Sequence, residues 1–267
     1  MGKTSSLLLV LTSFLAAETG FAADASSEQG AYIGLFGGFG SASSASLQQR
    51  GAVHLPAEFR YLPINARGYT GSGTRVTVGG AHVGYEWNRW NLGTSKWSLM
   101  PGAELEGIYL GKHTPTGEMP VTPRFLGTQY VTIPMTATVL LANATLTLQT
   151  PYSGKILPYI GLGAGAAFTS IKRSDSTNPS EPGINHFNSD PDASDSAFAL
   201  QFKAGIKGEI YESLSLFAEY RHLSIDATSY TFGSTNYPGE HFPTTTWHVN
   251  QGRQKYNLFV AGLQYKF

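Results

Sequence analysis

The feature that most limits the possible folds of this chain is a two-residue alternation that recurs eight times. In each run, apolar or aromatic side chains take every second position, and small or polar side chains lie between them. A β-strand turns successive side chains to opposite faces, so each run predicts one strand. The runs are 31–40, 75–87, 97–110, 136–149, 157–168, 198–210, 214–225 and 259–267. The parity of Val76 and Val78 disagrees with that of Val83, which predicts a bulge at Gly79–Gly80.

The connectors between these runs alternate in length. Those after the second, fourth and sixth runs are short, whereas the others are long and polar, at 41–74, 112–130, 172–195 and 226–254. Several aromatic residues fall at the short-turn end: Trp87, Trp90, Trp97, Tyr152, Tyr211, Tyr265 and Phe267. Short turns, long loops and an aromatic girdle predict an all-β fold, an eight-stranded antiparallel transmembrane β-barrel from about Ala31 to Phe267. A soluble barrel or jelly roll would show the same alternation in the opposite sense, so parity alone does not exclude it.

The N-terminal residues have the organisation of a secretory signal peptide. A basic start at Met1 to Lys3 precedes an apolar stretch at 7–17, and small residues follow at cleavage spacing. This stretch is too short to span a membrane; the alternative is a buried core helix. We expect cleavage after Ala22, which leaves 23–267 as one domain, although cleavage after Ala25 also fits. The predicted location is the outer membrane of a Gram-negative bacterium.

Composition excludes several classes of function. The 18 basic and 18 acidic residues balance, which removes the bulk electrostatic case for binding nucleic acid. The glycine runs at 70–74 and 161–165 do not lie between a strand and a helix, so no nucleotide or other cofactor is expected. With 12% aromatic and only 13% charged residues, much of the sheet is expected to face something other than water.

The strand sequences also resemble a known family. YIGLFGGFG, AELEGIYL, LLANATLTL, LPYIGLGAGAAF, LSLFAEYRHL and the terminal LQYKF are similar to the opacity-type and OmpA-like eight-stranded outer-membrane barrels. The resemblance covers nearly all of the mature chain and implies a small closed barrel that acts as a surface antigen, adhesin or envelope-stabilising protein. It also implies that Leu263, Tyr265 and Phe267 form a signal read by the barrel-assembly machinery. No peptidoglycan-binding domain is expected after the barrel, so direct anchoring to the cell wall is not expected.

Charged residues gather on the predicted inner face of the barrel. A turn at 211–213 would place Glu219 between two lysines of the neighbouring strand, where opposite charges neutralise each other. The interior of an eight-stranded barrel is just wide enough for side chains to fill it, so these residues predict a buried salt-bridge network. The alternatives are a narrow ion path, as in a small-solute porin, and a catalytic carboxylate pair. The network residues are Glu104, Glu106, Lys203, Lys207, Glu219 and Arg221.

Two further groups of residues could support catalysis or metal binding. His222 and Ser224 share a strand face and resemble the His-x-Ser element of barrel lipid A deacylases, and a Ser/His pair with an acid is the minimum for acyl transfer. Strand parity places His222 on the lipid side without an acid partner, so no enzymatic activity is expected. Three histidines lie in loops without paired metal spacing, so no metal is expected either; they are His186, His241 and His248.

The long connectors are the expected site of recognition. The serine-, asparagine- and proline-rich connector at 172–195 is predicted to be mobile and solvated, either as an antigen or as an inert solubilising loop. The last connector carries aromatic residues that could anchor a partner or, alternatively, pack on one another: Tyr230, Phe232, Tyr237, Phe242 and Trp247. The expected partners are outer-membrane lipid, the barrel-assembly machinery and a host or cell-surface ligand bound by the first and fourth loops. The best segment for that ligand is Thr231–Val249, and a monomer is expected.

Overall fold

The computed structural model describes residues 29–55, 60–93, 97–150, 156–211 and 213–267. The expected signal peptide and both of its cleavage sites lie outside these ranges. Within them, no helix is long and apolar enough to cross a membrane. A short 3-10 helix covers Arg124–Leu126. The strands, numbered in chain order, are β1 Gly30–Ala42, β2 Ser46–Leu55, β3 Arg60–Thr70, β4 Thr74–Glu86, β5 Trp90–Asn91, β6 Ser98–His113, β7 Thr116–Thr122, β8 Thr128–Thr132, β9 Met135–Gln149, β10 Ile156–Ile171, β11 Asp175–Thr177, β12 Ala193–Tyr211, β13 Leu214–Ile225, β14 Thr228–Phe232, β15 Trp247–Gln251 and β16 Gln254–Lys266.

Eight of these strands close into an antiparallel barrel. Their order is β4-β1-β16-β13-β12-β10-β9-β6, and the pairing of β4 with β6 completes the ring. Each predicted run forms one barrel strand, so the predicted fold class is confirmed. The predicted register is confirmed as well, because Glu219 of β13 lies opposite Gly205 of β12, between Lys203 and Lys207.

The outer wall of the barrel carries an apolar belt. Large side chains from all eight strands point outward and are exposed, among them Leu35, Val83, Leu105, Leu140, Leu162, Phe202, Leu216 and Phe259. An apolar surface of this extent is unstable in water and matches the lipid-facing band of an outer-membrane barrel. Exposed aromatic residues follow at the short-turn end: Trp87, Trp90, Tyr211, Tyr265 and Phe267. Tyr152 of the predicted girdle lies outside the described residues.

The bulge expected in β4 was a wrong prediction. Gly79 pairs with Gly37 of β1 and with Tyr109 of β6, and both registers run on without a shift. Val76 and Val78 point into the barrel because the lumen changes from polar to apolar toward the long-loop end. A buried apolar cluster fills that upper half, and it contains Phe36, Val76, Val78, Ile108, Leu110, Val139, Leu141, Leu223, Tyr256, Leu258 and Val260, among others.

The long connectors fold into a second sheet beyond the barrel, which we call the distal sheet. Its strand order is β11-β8-β7-β3-β2-β15-β14. It has a hydrophobic core of its own, which includes Leu47, Met119, Val131, Ile133, Phe187, Tyr230, Phe232, Trp247 and Val249. The wall of the molecule therefore continues past the apolar belt as ordered β-structure.

The connector at 172–195 was predicted to be mobile and solvated, whereas the structure packs part of it into the distal sheet. The Phe187 side chain is buried in the distal core and stacks on Phe232, with ring centroids 4.3 Å apart. The polar side chains that suggested solvation form hydrogen bonds with backbone groups of the connector instead. The Asn185 side-chain oxygen accepts hydrogen bonds from the amides of Ser176 and Phe187, and the Ser174 hydroxyl donates to the Pro191 carbonyl.

Candidate functional site

An ion pair crosses the lumen at the centre of the predicted charge network. Arg221 Nη1 lies 2.6 Å from the Glu106 carboxylate, and the Arg221 Nε donates to Glu219 on its own strand. All three side chains are buried. The Arg221 guanidinium also lies 3.9 Å above the centroid of the Phe36 ring, a cation–π contact with the apolar layer above.

A second group of the network joins Lys203 to two carboxylates. The Lys203 ammonium forms an ion pair with Glu104, and it lies 3.9 Å from Glu219. Two tyrosines complete the group, because the hydroxyl of Tyr32 donates to Glu104 at 2.9 Å and that of Tyr159 donates to Glu219. A buried charge is tolerated only when it is paired and hydrogen-bonded, and these residues supply both conditions.

The third group lies at the short-turn end and includes two residues that the sequence analysis did not assign. Lys207 lies 2.6 Å from Glu86, and Lys266 of the last strand lies 3.0 Å from the other oxygen of the same carboxylate. Lys207 therefore pairs with Glu86 and not with Glu219. The inward parity that Glu86 shares with His82 was the signal that could have identified it.

The network and the apolar cluster together occupy the described lumen. Four carboxylates, of Glu86, Glu104, Glu106 and Glu219, face four cations, of Lys203, Lys207, Arg221 and Lys266. A residual cavity among them has a volume of about 10 Å³, which is about the space of one water molecule. The apolar cluster lies above this cavity. Buried side chains thus occupy both levels of the described lumen, as expected for an eight-stranded barrel, whose interior is just wide enough for side chains to fill it.

The His222–Ser224 pair lacks the arrangement that acyl transfer needs. His222 Nδ1 lies 2.9 Å from the side-chain oxygen of Asn257, which also accepts a hydrogen bond from the Tyr220 hydroxyl. Ser224 faces Lys255 across the strand pair. An amide thus occupies the place where a triad requires a carboxylate, and among the described residues no carboxylate is seen to pair with His222.

The aromatic contact candidates of the last connector divide into two groups. Tyr230, Phe232 and Trp247 are buried in the distal core, so the contact role considered for these three was a wrong prediction. They occupy alternate positions of β14 and β15, so their side chains point to the face of the distal sheet that packs against its core. The alternative that they pack together is what the structure shows. Tyr237 is partly exposed and Phe242 is exposed, so these two are accessible to a partner.

The first and fourth connectors meet at the far end of the molecule. The amide of His54 donates to the Pro243 carbonyl at 2.8 Å, and the amide of Thr245 donates to the Ala52 carbonyl at 2.9 Å. We call this junction, 52–54 with 243–245, the distal seam. Exposed aromatic rings flank it: the Tyr61 ring lies 4.9 Å from the His54 ring, and Phe242 precedes Pro243.

Two of the three loop histidines lie close together, although their sequence spacing gave no sign of this contact. Glu181 and His186 of the third connector lie next to His241 of the fourth, with one carboxylate oxygen 3.0 Å from His186 Nε2 and the other 3.4 Å from His241 Nε2. These hydrogen bonds hold the pKa of Glu181 well below its usual range, and the bond to Glu181 raises the pKa of His241. His248 lies apart from them and contacts the Thr231 hydroxyl.

Comparison with known proteins gives one match over almost the whole chain. The family model described as outer membrane protein beta-barrel domain matches residues 6–267. No curated protein matches the sequence at a significant level. Among solved structures, the outer membrane protease OmpT from Escherichia coli is 8% identical, with 88% of this chain and 97% of that chain covered and a TM-score of 0.44. OprG from Pseudomonas aeruginosa is 16% identical (89% and 96% covered, TM-score 0.40), and neisserial surface protein A is 13% identical (89% and 97%, TM-score 0.37).

Proposed function

We propose that this chain, which belongs to the outer membrane protein β-barrel family and lies in the outer membrane of a Gram-negative bacterium, is a surface-recognition protein with a closed barrel. We assign the recognition function to the distal sheet and not to the lumen of the barrel. The observation that carries the proposal is that the long connectors build an ordered sheet with its own buried core. Crossing a membrane requires only short turns, so this structure needs another role, and loops on a rigid scaffold are where recognition usually resides.

The distal seam is the proposed contact surface. It joins the first and fourth connectors, the two that the sequence favoured, and Tyr61 and Phe242 expose apolar rings beside it. Aromatic side chains give large contact areas at a small cost in conformational entropy and are enriched at binding hot spots. The proposed partner is a host or neighbouring cell-surface molecule, and the role is that of a surface antigen or adhesin. Envelope stabilisation is the second candidate, favoured by the charge network that holds the barrel shut.

Two other functions receive less support. A small-solute porin would need a continuous path past both the charge network and the apolar cluster. A lipid hydrolase would need an acid for His222, and Asn257 occupies that position. We therefore propose that the protein is not an enzyme.

Adhesion by cells that display the protein tests the proposed surface. Escherichia coli cells that display the wild-type barrel should adhere to cultured epithelial monolayers more than cells with empty vector. The variant with Tyr61→Ser and Phe242→Ser should lose most of that difference. Phe125→Ser is the control, because Phe125 is an even more exposed aromatic residue and lies on the second connector, away from the seam. Adhesion that is unchanged in the double variant at equal surface display would contradict the assignment of the seam.

A further inference from the structure

Two histidines from different connectors aim the same ring nitrogen at one carboxylate. His186 Nε2 and His241 Nε2 lie 3.0 and 3.4 Å from the two oxygens of Glu181, and the potential ligand atoms of the three residues all lie within 4.8 Å of one another. The His186 and His241 side chains are almost fully buried, whereas that of Glu181 is about one-third exposed. The cluster is therefore held by the protein and open to solvent on one side.

The other ring nitrogen of each histidine is fixed by the backbone. His186 Nδ1 lies 2.7 Å from the Ser176 carbonyl, and His241 Nδ1 lies 2.6 Å from the Phe242 carbonyl. A carbonyl oxygen can only accept, which favours a proton on both Nδ1 atoms, whereas the side-chain nitrogen of Gln129, a donor, also lies 3.0 Å from His186 Nδ1. In the neutral imidazole the Nε2 atom then presents a lone pair. Histidines that bind metals show this pattern, with one ring nitrogen donating to a carbonyl and the other facing the metal.

We propose that Glu181, His186 and His241 form a site for a zinc-class divalent transition-metal ion. Two imidazole nitrogens and a carboxylate are a donor set that zinc prefers, whereas calcium and magnesium prefer oxygen ligands. Ligands about 2.1 Å from a tetrahedral ion lie about 3.4 Å from one another, and the potential ligand atoms of the three residues lie within 4.8 Å of one another, so small side-chain movements would bring them to one ion. The exposed side of Glu181 leaves the fourth position to water or to a group from another molecule.

The proposed metal site goes beyond the proposed recognition role, because binding of a metal ion by the distal sheet requires no partner molecule. An ion there would tie the third connector to the fourth, directly beside the distal seam, since His241 immediately precedes Phe242. The competing explanation is a metal-free ion pair, in which protonated imidazole rings donate to Glu181. That explanation requires no affinity for a metal, so metal binding separates the two.

Zinc titration of the folded mature protein in detergent tests the site. The protein should carry no histidine tag, and the titration should be run at pH 8.0, because the contact with Glu181 raises the pKa of His241 above that of an ordinary imidazole. We expect one zinc ion per chain, and we expect Co²⁺ to give the visible absorption of a tetrahedral site. Glu181→Gln and His241→Ala should each weaken zinc binding at least tenfold and abolish the cobalt spectrum. Glu181→Gln keeps the shape of the side chain, which limits the effect on folding.

His248→Ala is the matched control, because His248 lies in the same connector, outside the cluster. It should bind zinc like the wild type. Heat-dependent gel mobility and resistance to trypsin verify that each variant keeps the barrel and the distal sheet. The site is overturned if the wild type binds zinc no more tightly than the folded Glu181→Gln variant. It is also overturned if His248→Ala loses binding to the same extent as His241→Ala.

Discussion

Arg221 and Glu106 face each other across the full width of the barrel. Their strands, β13 and β6, are four positions apart in either direction around the ring of eight, and Arg221 Nη1 lies 2.6 Å from the Glu106 carboxylate. An ion pair between opposite walls fills the lumen at its centre and ties together strands that share no backbone hydrogen bonds.

Removal of Arg221 should therefore destabilise the barrel strongly. Arg221→Ala leaves Glu106 and Glu219 buried without their main cationic partner, and breaking a buried pair from one side costs about 3–5 kcal/mol. Urea unfolding of protein refolded into lipid vesicles measures this loss. Arg253→Ala is the control, because Arg253 pairs with Asp226 on the surface at 2.8 Å, and exposed pairs contribute little. Equal unfolding midpoints for the two variants would show that the interior pair is not a main source of stability.

The Trp247 side chain should stabilise the distal sheet but should not affect the stability of the barrel. Its side chain is 2% exposed, and its indole nitrogen donates to the Thr235 hydroxyl at 3.1 Å. Trp247→Ala should cost the distal core about 3–5 kcal/mol and make the connectors sensitive to trypsin, while heat-dependent gel mobility stays unchanged. The exposed Phe242→Ala should change neither readout. A Trp247→Ala protein whose connectors resist trypsin like the wild type would argue against a cooperative distal core.

The terminal Phe267 should be needed for efficient assembly. Its amide donates to the Ala31 carbonyl and closes the last strand onto the first, while its ring packs edge-on against Tyr265. Deletion of Phe267 should lower the amount of membrane-inserted protein in cells. Phe259→Ala controls for the loss of a lipid-facing ring, since both side chains are 57% exposed on the same face of the barrel. If the two variants insert equally well, Phe267 is an interface anchor and not an assembly signal.

The barrel could be predicted from sequence because its signal is local. Each strand shows its own alternation, and the alternation of short and long connectors orders the strands into a ring. The error at Gly79–Gly80 arose because parity reports which side chains share a face but not whether that face is polar. Val76 and Val78 share the inner face with His82, at a level where the lumen is apolar.

The distal sheet and the histidine cluster could not be predicted in the same way. Apart from β2 and β3, the connector strands have 7 residues or fewer, and turn-forming residues separate them, so their composition resembles that of solvated loops. Tyr230 and Phe232 alternate as a strand would, but their burial depends on Phe187 of another connector. Glu181 and His241 are distant in sequence, and only the packing of the third connector against the fourth brings them together.

The closed lumen is the central claim, and planar-bilayer recording of the purified folded protein tests it most directly. Four carboxylates and four cations occupy the lower lumen, and buried side chains of the apolar cluster occupy the upper lumen. We predict little conductance, or only small and intermittent events, because ions have no continuous hydrated path. Large and steady channels from folded wild-type protein would contradict the closed barrel and would favour a porin.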